Sequence, residues 1–263
     1  MSYDPGSHAG FSRRETLGLV LMGALAATRP PGALAQSPGR PAAVETAHRP
    51  QIDVPILADD PVAVPLTVSV DHPMEADHYI KALEVVLRTD PVPRKGVFHF
   101  TPRSGRASVA YQMRSGQGGE LTVVAECTRH GRFEARHLVR VAPGGCALPP
   151  GSVTREQGGS PSVRTQARVR PGEVVAVWAS LKHTSHTGLA EKNGTFVQER
   201  PAFFVERMTA FLGEERVSEF ALTPAMSPDP KLRFFVKARP GTMLRVVFVD
   251  NRGGQWAAHQ QFP

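Results

Sequence analysis

The sequence predicts an all-β protein made of two immunoglobulin-like β-sandwich domains in tandem. It contains 24 Pro and 24 Gly in 263 residues, a composition typical of many short strands separated by turns. Segments such as 66–70 and 121–125 are short, rich in β-branched residues and bounded by Pro, Gly or Asp. No long segment shows the spacing of apolar residues that an amphipathic helix requires.

The strand-like segments form two series that share sequence. Phe-His-Phe-Thr-Pro at 98–102 resembles Phe-Ala-Leu-Thr-Pro at 220–224, and Leu-Thr-Val-Val at 121–124 resembles Leu-Arg-Val-Val at 244–247. This repetition indicates an internal duplication. We expect the two similar domains to pack on each other as a pseudo-dimer.

The N-terminus has the pattern of an export signal. Arg13 and Arg14 precede an apolar run at 18–27 and an Ala-Leu-Ala sequence at 33–35, typical of a twin-arginine signal peptide with its cleavage site. The run is too short to span a bilayer, so we predict a periplasmic protein without a membrane anchor after cleavage. The predicted organisation is a signal peptide 1–35, a linker 36–50, a first domain 51–146, a linker 147–162 and a second domain 163–263.

The charge pattern argues against nucleic acid as a partner. The net charge is +7, but basic and acidic residues are interspersed, and no basic run with interleaved aromatic residues occurs. The chain also lacks a P-loop, a nucleophile elbow and a His-Glu-x-x-His motif.

Cys146 is the first candidate functional residue. It follows Gly144 and Gly145 and is followed by two prolines, so we predict an exposed thiol on a flexible arm, suited to a covalent carrier. The alternative is a disulfide with Cys127, since these two cysteines would enter an oxidising compartment.

Each half of the chain contains a set of characteristic motifs. The motifs of the first half are Val-Pro-Leu-Thr-Val at 64–68, Phe-His-Phe-Thr-Pro at 98–102, Ser-Gly-Arg-Ala at 104–107 and Gly-Gly-Cys at 144–146. The motifs of the second half are Lys-His at 182–183, Thr-Gly-Leu at 187–189, Gly-Thr-Phe at 194–196, Pro-Ala-Phe-Phe at 201–204 and Val-Asp-Asn-Arg-Gly-Gly at 249–254. By these motifs the first half resembles SoxY, the thiosulfate-oxidation carrier, and the second half resembles its partner SoxZ.

The resemblance implies that Cys146 carries thiosulfate-derived sulfur covalently. Its implied partners are periplasmic Sox enzymes or c-type cytochromes and inorganic sulfur compounds. The family's arm normally ends the chain, whereas here a second domain follows, a continuation that can restrict access to the thiol. Fused carriers associated with quinoprotein dehydrogenases also contain an internal Gly-Gly-Cys, and a carrier of that kind is an alternative.

A second set of residues has the pattern of a metal site. His72 and His78 flank a turn that contains Pro73, and Cys127 and His130 form a Cys-x-x-His pair at a predicted hairpin tip. Imidazole and thiolate ligands together favour a transition metal. A closed tetrahedral zinc site would need only these four residues.

These two motifs resemble the ligand motifs of desulfoferrodoxin, or superoxide reductase, which binds one ferrous ion through four histidines and one cysteine. The resemblance implies mononuclear iron held by His72, His78, Cys127 and His130. His48 is the candidate fourth histidine, although its spacing to His72 is longer than the motif favours.

A superoxide-reductase-like redox protein is the rival interpretation of the function. That family has Glu-Lys before its first histidine, whereas Thr46 and Ala47 precede His48 here, and Arg49 is the candidate substitute. In the second domain Phe203 stands where SoxZ usually has a histidine. We therefore predict no metal there, despite His183 and His186.

Overall fold

The computed structural model describes residues 41–148, 155–166 and 168–262, so the predicted signal peptide lies outside the described residues. The described residues contain one α-helix, α1 (Ala42–His48), one 3-10 helix (Pro102–Ser104) and seventeen strands. None of their helices is long and apolar enough to cross a membrane. The strands are β1 (Gln51–Asp53), β2 (Leu57–Ala58), β3 (Val64–Val70), β4 (Ile80–Leu87), β5 (Arg94–Phe100), β6 (Ala107–Met113), β7 (Gly119–Cys127), β8 (Gly131–Val141), β9 (Gly158–Thr165), β10 (Val174–His183), β11 (Leu189–Lys192), β12 (Thr195–Gln198), β13 (Val205–Leu212), β14 (Glu215–Ala221), β15 (Lys231–Lys237), β16 (Met243–Asp250) and β17 (Gln255–Gln261).

These strands form two large sheets and one small hairpin. The first sheet has six strands in the order β1-β3-β6-β15-β10-β9, and the second has nine in the order β17-β16-β13-β14-β5-β4-β7-β8-β2. Strands β11 and β12 form the hairpin. Neighbouring strands are antiparallel except for β2 and β8, which are parallel. The predicted all-β, immunoglobulin-like architecture is confirmed.

Both large sheets run without interruption from one half of the chain into the other. In the larger sheet β5 pairs with β14, which places Phe98 directly opposite Phe220. In the smaller sheet β6 pairs with β15 at Ala110 and Arg233. The two sandwiches are therefore joined by backbone hydrogen bonds as well as by side-chain packing.

The strand order is symmetrical about this junction. Moving outward from β5 and β14, the first half continues through β4, β7 and β8, and the second half through β13, β16 and β17. In the smaller sheet β6, β3 and β1 correspond in the same way to β15, β10 and β9. Phe98 and Phe220, which occupy the same position in the repeated sequence, meet across the axis of a pseudo-twofold pair.

Alternating side chains from both sheets fill one hydrophobic core. Along β3 the alternate residues are buried, as expected for a strand with one face on a core. The Phe98 ring contacts Tyr111 at 5.0 Å and Phe220 at 5.2 Å between centroids, and Phe220 contacts Phe234 at 5.6 Å. The core thus extends through the junction between the two halves.

The structure differs from the sequence prediction in both predicted linkers. Residues 42–48 of the first linker form α1, whose last residue, His48, is buried. The last residues of the second linker belong to β9, which pairs with β10. Their Pro, Gly and Ala content suggested flexible chain, but contacts with distant strands give these segments regular structure.

Candidate metal centre and thiol site

His48 reaches the first candidate site from the end of α1. The helix begins after Pro41, contains three alanines, and ends where Arg49 adopts extended backbone before Pro50. The His48 Nδ1 atom donates a hydrogen bond to the Val44 carbonyl oxygen at 2.7 Å. This bond fixes the ring so that Nε2 points away from the helix.

His72 and His78 lie in the loop between β3 and β4. His72 is buried, and its Nδ1 atom donates to the Pro73 carbonyl oxygen at 2.5 Å. The Glu75 amide donates to the His78 carbonyl oxygen at 3.1 Å and closes the turn. The two Nε2 atoms consequently face each other at 3.2 Å.

Cys127 and His130 lie at the tip of the β7–β8 hairpin. Cys127 is the last residue of β7 and pairs with Gly131, whose φ of 79° is readily adopted only by glycine. The Arg129 amide lies 3.5 Å from the Cys127 sulfur, as a donor to it, and the sulfur is 3.8 Å from His130 Nδ1. The tight turn therefore brings both side chains to one side of the hairpin.

Backbone contacts hold this hairpin against the histidine loop. The Thr128 amide donates to the Tyr79 carbonyl oxygen at 3.0 Å, and the Tyr79 amide donates to the Thr128 hydroxyl at 3.1 Å. Arg129 forms an ion pair with Asp77. These contacts set the position of His78 relative to Cys127 and His130.

The structure brings all five predicted residues together. His78 Nε2 lies 3.1 Å from His130 Nδ1, which lies 3.0 Å from His48 Nε2. The donor atoms of His48, His72, His78 and Cys127 all lie within 4.8 Å of one another. The four histidines and the cysteine therefore form one cluster, which we call the His/Cys cluster.

The His/Cys cluster fits a transition-metal ion. Two nitrogens bound to one metal at about 2.1 Å and at a right angle lie about 3.0 Å apart, close to the three N–N distances observed here. Because Nδ1 of His48 and of His72 donates to a carbonyl, the Nε2 atom of each ring presents its lone pair to the cluster. Several lone pairs that face one another at such distances repel unless a cation lies between them.

Burial and neighbouring imidazoles favour the neutral form of His72 and His78. Loss of solvent lowers the pKa of His72, and nearby His78 and His130 lower it further. The pKa of His78 is also lowered, first by desolvation and then by His130. Neutral imidazole is the form that binds a metal. His48, His72 and Cys127 are buried, whereas His78 and His130 are partly exposed, so the cluster opens to solvent on their side.

The corresponding place in the second domain has different chemistry. Phe203 lies two residues before β13 as His78 lies two residues before β4, and Asp250 ends β16 as Cys127 ends β7. The His183 ring stacks on Phe203 at 4.3 Å, and its Nε2 lies 3.5 Å from Asp250 Oδ2. This buried contact occupies the position that the ligands have in the first domain.

Cys146 lies in a different environment from the one predicted. The thiol is fully buried. Cys127 and Cys146 are both free thiols and do not form a disulfide with each other. The Gly144 amide donates to the Gly116 carbonyl oxygen at 3.0 Å, and the Leu148 amide donates to Leu189 at 2.8 Å. The expectation of an exposed, flexible arm was wrong for this conformation because both domains bind the segment.

Tight packing at Gly145 reinforces this docking. A Cβ atom at Gly145 would overlap the carbonyl oxygens of Pro61 and Ser115, so only glycine fits. The Thr187 hydroxyl, from the second domain, donates to the Cys146 carbonyl oxygen. We call residues 144–148 the docked arm.

Three buried charged residues surround the thiol, and the sequence analysis did not identify them. The Lys95 ammonium donates to Asp90 at 2.6 Å and to the Arg114 carbonyl oxygen at 3.0 Å. Arg114 donates through Nη1 to the Gly145 carbonyl oxygen at 3.2 Å. Burial raises the pKa of the Cys146 thiol to about 11, although the positive charges of Lys95 and Arg114 oppose this rise.

A β-bulge explains why Lys95 was missed. Strand β4 pairs Val85 with Gly96 and Val86 with Arg94, so Lys95 is the extra residue of the bulge. Simple alternation with Phe98 would place Lys95 on the solvent side. The bulge turns Lys95 inward. In the sequence, the adjacent Gly96 is the feature that could have indicated the bulge.

Each half of the chain matches the model of a known protein family. The family model of the sulfur oxidation protein SoxY matches residues 35–146, so its match ends at Cys146. The model of the sulphur oxidation protein SoxZ matches residues 163–261. The chain belongs to the SoxY and SoxZ families, in that order. The resemblance inferred from the Gly-Gly-Cys sequence and the second-domain motifs is confirmed.

Part of the chain is also similar to known structures. A superoxide reductase (neelaredoxin) from Ignicoccus hospitalis has 28% identity and a TM-score of 0.33, covering 36% of this chain and 81% of that chain. A putative superoxide reductase from Thermotoga maritima has 22% identity and a TM-score of 0.33, covering 36% and 87%. A superoxide reductase from Nanoarchaeum equitans has 16% identity and a TM-score of 0.32, covering 36% and 94%. A comparison with curated proteins found no match.

Proposed function

We propose that this SoxY–SoxZ chain is a periplasmic carrier that holds a sulfur-oxidation intermediate covalently on Cys146. The observation that supports this function is the coincidence of Cys146 with the end of the SoxY match. A thiol at this position can form a disulfide-type bond to sulfur and can later be regenerated. The contacts of the docked arm with Thr187 and Leu189 make the SoxZ domain part of the thiol's environment.

The loading step is an oxidative coupling. The Cys146 thiolate and the terminal sulfur of thiosulfate form an S–S bond, the thiol proton goes to solvent, and two electrons leave. The product is a cysteine S-thiosulfonate with one negative charge. A c-type cytochrome of a Sox oxidase is the class of partner that accepts the electrons.

Loading requires the docked arm to open. The thiol is fully buried, and a pKa of about 11 leaves little thiolate at neutral pH. A small number of hydrogen bonds holds residues 144–148 in place. A partner enzyme that displaces these bonds would expose the sulfur and allow it to ionise.

Mass spectrometry tests the carrier function directly. The mature chain is incubated with thiosulfate and a Sox oxidase fraction, then digested and mapped. We expect one thiosulfate-derived adduct on the peptide that contains Cys146. The Cys146→Ser variant should carry none. Absence of an adduct on Cys146 would overturn the proposal.

We further propose that the His/Cys cluster binds mononuclear iron. Four imidazole nitrogens and one thiolate exceed the four ligands of a closed tetrahedral zinc site, which favours iron over zinc. Iron held there would supply one-electron redox chemistry. Metal analysis of the purified chain tests this assignment, and finding zinc or no metal in place of iron would contradict it.

A superoxide-reductase-like activity is the second candidate function. It is favoured by the partly exposed side of the His/Cys cluster, at His78 and His130, where a small molecule could approach. The test is consumption of superoxide by the iron-loaded chain. Activity in the Cys146→Ser variant equal to that of the unchanged chain would show that the two sites act separately.

A further inference from the structure

Arg114 is a buried cation without a carboxylate partner. Only 6% of its surface is exposed. Its Nη1 and Nη2 atoms donate to the carbonyl oxygens of Gly145 and Ser185, at 3.2 and 3.0 Å, and its Nε atom has no hydrogen-bond partner. Among the described residues, no carboxylate forms an ion pair with it. An uncompensated buried guanidinium is costly and favours the binding of an anion.

The neighbouring charges do not neutralise Arg114. Lys95 and Asp90 form a buried ion pair at 2.6 Å and compensate each other. Asp90 also accepts hydrogen bonds from the amides of Gly116 and Gln117. The exposed carboxylate of Asp60 acts on Arg114 only from a distance. The group of Asp90, Lys95 and Arg114 therefore has one surplus positive charge.

This surplus charge lies beside Cys146. Arg114 donates a hydrogen bond to the carbonyl oxygen of Gly145, the residue before Cys146. The guanidinium of Arg114 and the thiol of Cys146 also interact electrostatically. Because burial raises the pKa of the thiol to about 11, Cys146 is neutral near neutral pH and does not supply the missing negative charge. A thiosulfate-derived group on its sulfur would supply one, on the oxygens of the terminal sulfonate, three bonds beyond Sγ.

We propose that Arg114 binds the terminal oxyanion of the sulfur group carried on Cys146, so that the docked arm is a storage position for the charged adduct. This inference rests on the proposed carrier function. Guanidinium groups bind planar and tetrahedral oxyanions through short, charge-assisted hydrogen bonds. The free Nε–H is a donor available for such a bond. Arg114 would thus select sulfonate-bearing intermediates over a neutral or reduced sulfur chain.

The adduct can be made without any partner enzyme. The Cys146 thiolate attacks an inner sulfur of tetrathionate, an S–S bond forms, and thiosulfate leaves with the electron pair, so that no further oxidant is needed. Methyl methanethiosulfonate provides the neutral counterpart. It transfers a methylthio group to the same sulfur and releases methanesulfinate.

The experiment compares the thermal midpoints of the two adducts in the full mature chain. We expect the tetrathionate-derived adduct to melt at least about 2–4 °C above the methylthio adduct. This difference should vanish in Arg114→Gln and persist in Arg114→Lys and in the exposed control Arg140→Gln. Because each variant is compared with itself, a general loss of stability in Arg114→Gln cancels.

Two adverse results can be distinguished. An equal difference in Arg114→Gln and in the unchanged chain would overturn the oxyanion site and leave the carrier function standing. Peptide mapping assigns the adduct to Cys146 or Cys127. Burial slows this reaction without preventing it, so the incubation is prolonged. Failure of the folded chain to take an adduct on Cys146 even then would count against the carrier function, and the oxyanion site would fall with it.

Discussion

The His130 Nδ1 atom lies 3.0 Å from His48 Nε2, although 82 residues separate the two histidines in the chain. His48 is brought there by a short helix, and His130 by a hairpin turn. The His48 ring also stacks on Phe133 at 4.5 Å, which fixes its plane. The cluster therefore depends on the segment before the first strand as much as on the sandwich itself.

Replacement of His78 by Ala should remove one donor from the His/Cys cluster. We expect iron content to fall and the visible thiolate-to-iron absorption band to disappear, because the remaining ligands no longer enclose the ion. Metal analysis and absorption spectroscopy measure both effects. His99→Ala, at an exposed histidine of β5, is the matched control and should keep colour and iron. Unchanged colour in His78→Ala would refute the ligand assignment.

The two cysteines should have separable spectroscopic roles. Cys127→Ser should abolish the thiolate-to-iron band because it removes the sulfur donor, whereas Cys146→Ser should leave the band unchanged. Absorption spectra of the two iron-loaded variants provide the comparison. Loss of the band in Cys146→Ser would contradict the assignment of Cys127 as the sulfur ligand of the iron, because it would show that Cys146 is needed for the band.

Alkylation of Cys146 should be strongly suppressed in the folded chain. At about pH 8, a thiol with a pKa of about 11 has a roughly 100-fold lower thiolate fraction than one at its ordinary value of 9.0. The rate with iodoacetamide should keep rising up to about pH 11 in the folded chain and level off near 9 in denaturant. A folded-state profile that levels off near 9 would contradict this prediction.

The same shift should appear in the pH dependence of stability. Because the folded pKa is raised, the unfolded chain loses this proton first as the pH increases. The stabilising effect of the neutral thiol is complete below 9 and is lost as the pH approaches 11. Denaturant unfolding across this window should show a steeper loss for the unchanged chain than for Cys146→Ser. Equal slopes would argue against a raised pKa at Cys146.

Lys95→Met should destabilise the fold and loosen the docked arm. It leaves the fully buried Asp90 without its cation, a change that costs about 3–5 kcal/mol of unfolding free energy. Asp90 also holds the Gly116 loop to which Gly144 binds, so Cys146 should react faster with iodoacetamide. Glu219→Ala, which breaks the exposed ion pair with Arg216, should cost less than about 1 kcal/mol. A similar loss of unfolding free energy in Lys95→Met and Glu219→Ala would contradict this prediction, because the buried ion pair would then contribute no more than the exposed one.

Phe220→Ala should destabilise both domains together. Phe220 is fully buried and contacts Phe98 and Phe234 at the junction, so its removal should cost about 3–5 kcal/mol. Because both sheets cross the junction, calorimetry should show one transition that moves to lower temperature. Phe235→Ala, at a partly exposed position beside Arg106, should have a smaller effect. Two separate transitions would show that the domains unfold independently.

Short-range patterns were sufficient to predict most of the strands and four of the cluster residues. In β7 the alternate residues Leu121, Val123, Ala125 and Cys127 are buried, as expected for a strand with one face on the core. The pairs His72/His78 and Cys127/His130 are each close in sequence, so one turn brings each pair together. The composition of 36–50 concealed α1, because a seven-residue helix is stabilised by its contacts in the fold and only weakly by its own sequence.

The sequence by itself determined the all-β class, the duplicated pair of domains and the chemistry of the ligand-type and thiol residues, because these depend on local periodicity and residue type. Only the tertiary structure decided that both sheets cross the junction, that His48 joins the other four cluster residues, and that Cys146 is buried beside Arg114. These outcomes depend on contacts between residues far apart in the chain. The charged surroundings of Cys146 further depend on a single bulge in β5, which turns Lys95 inward.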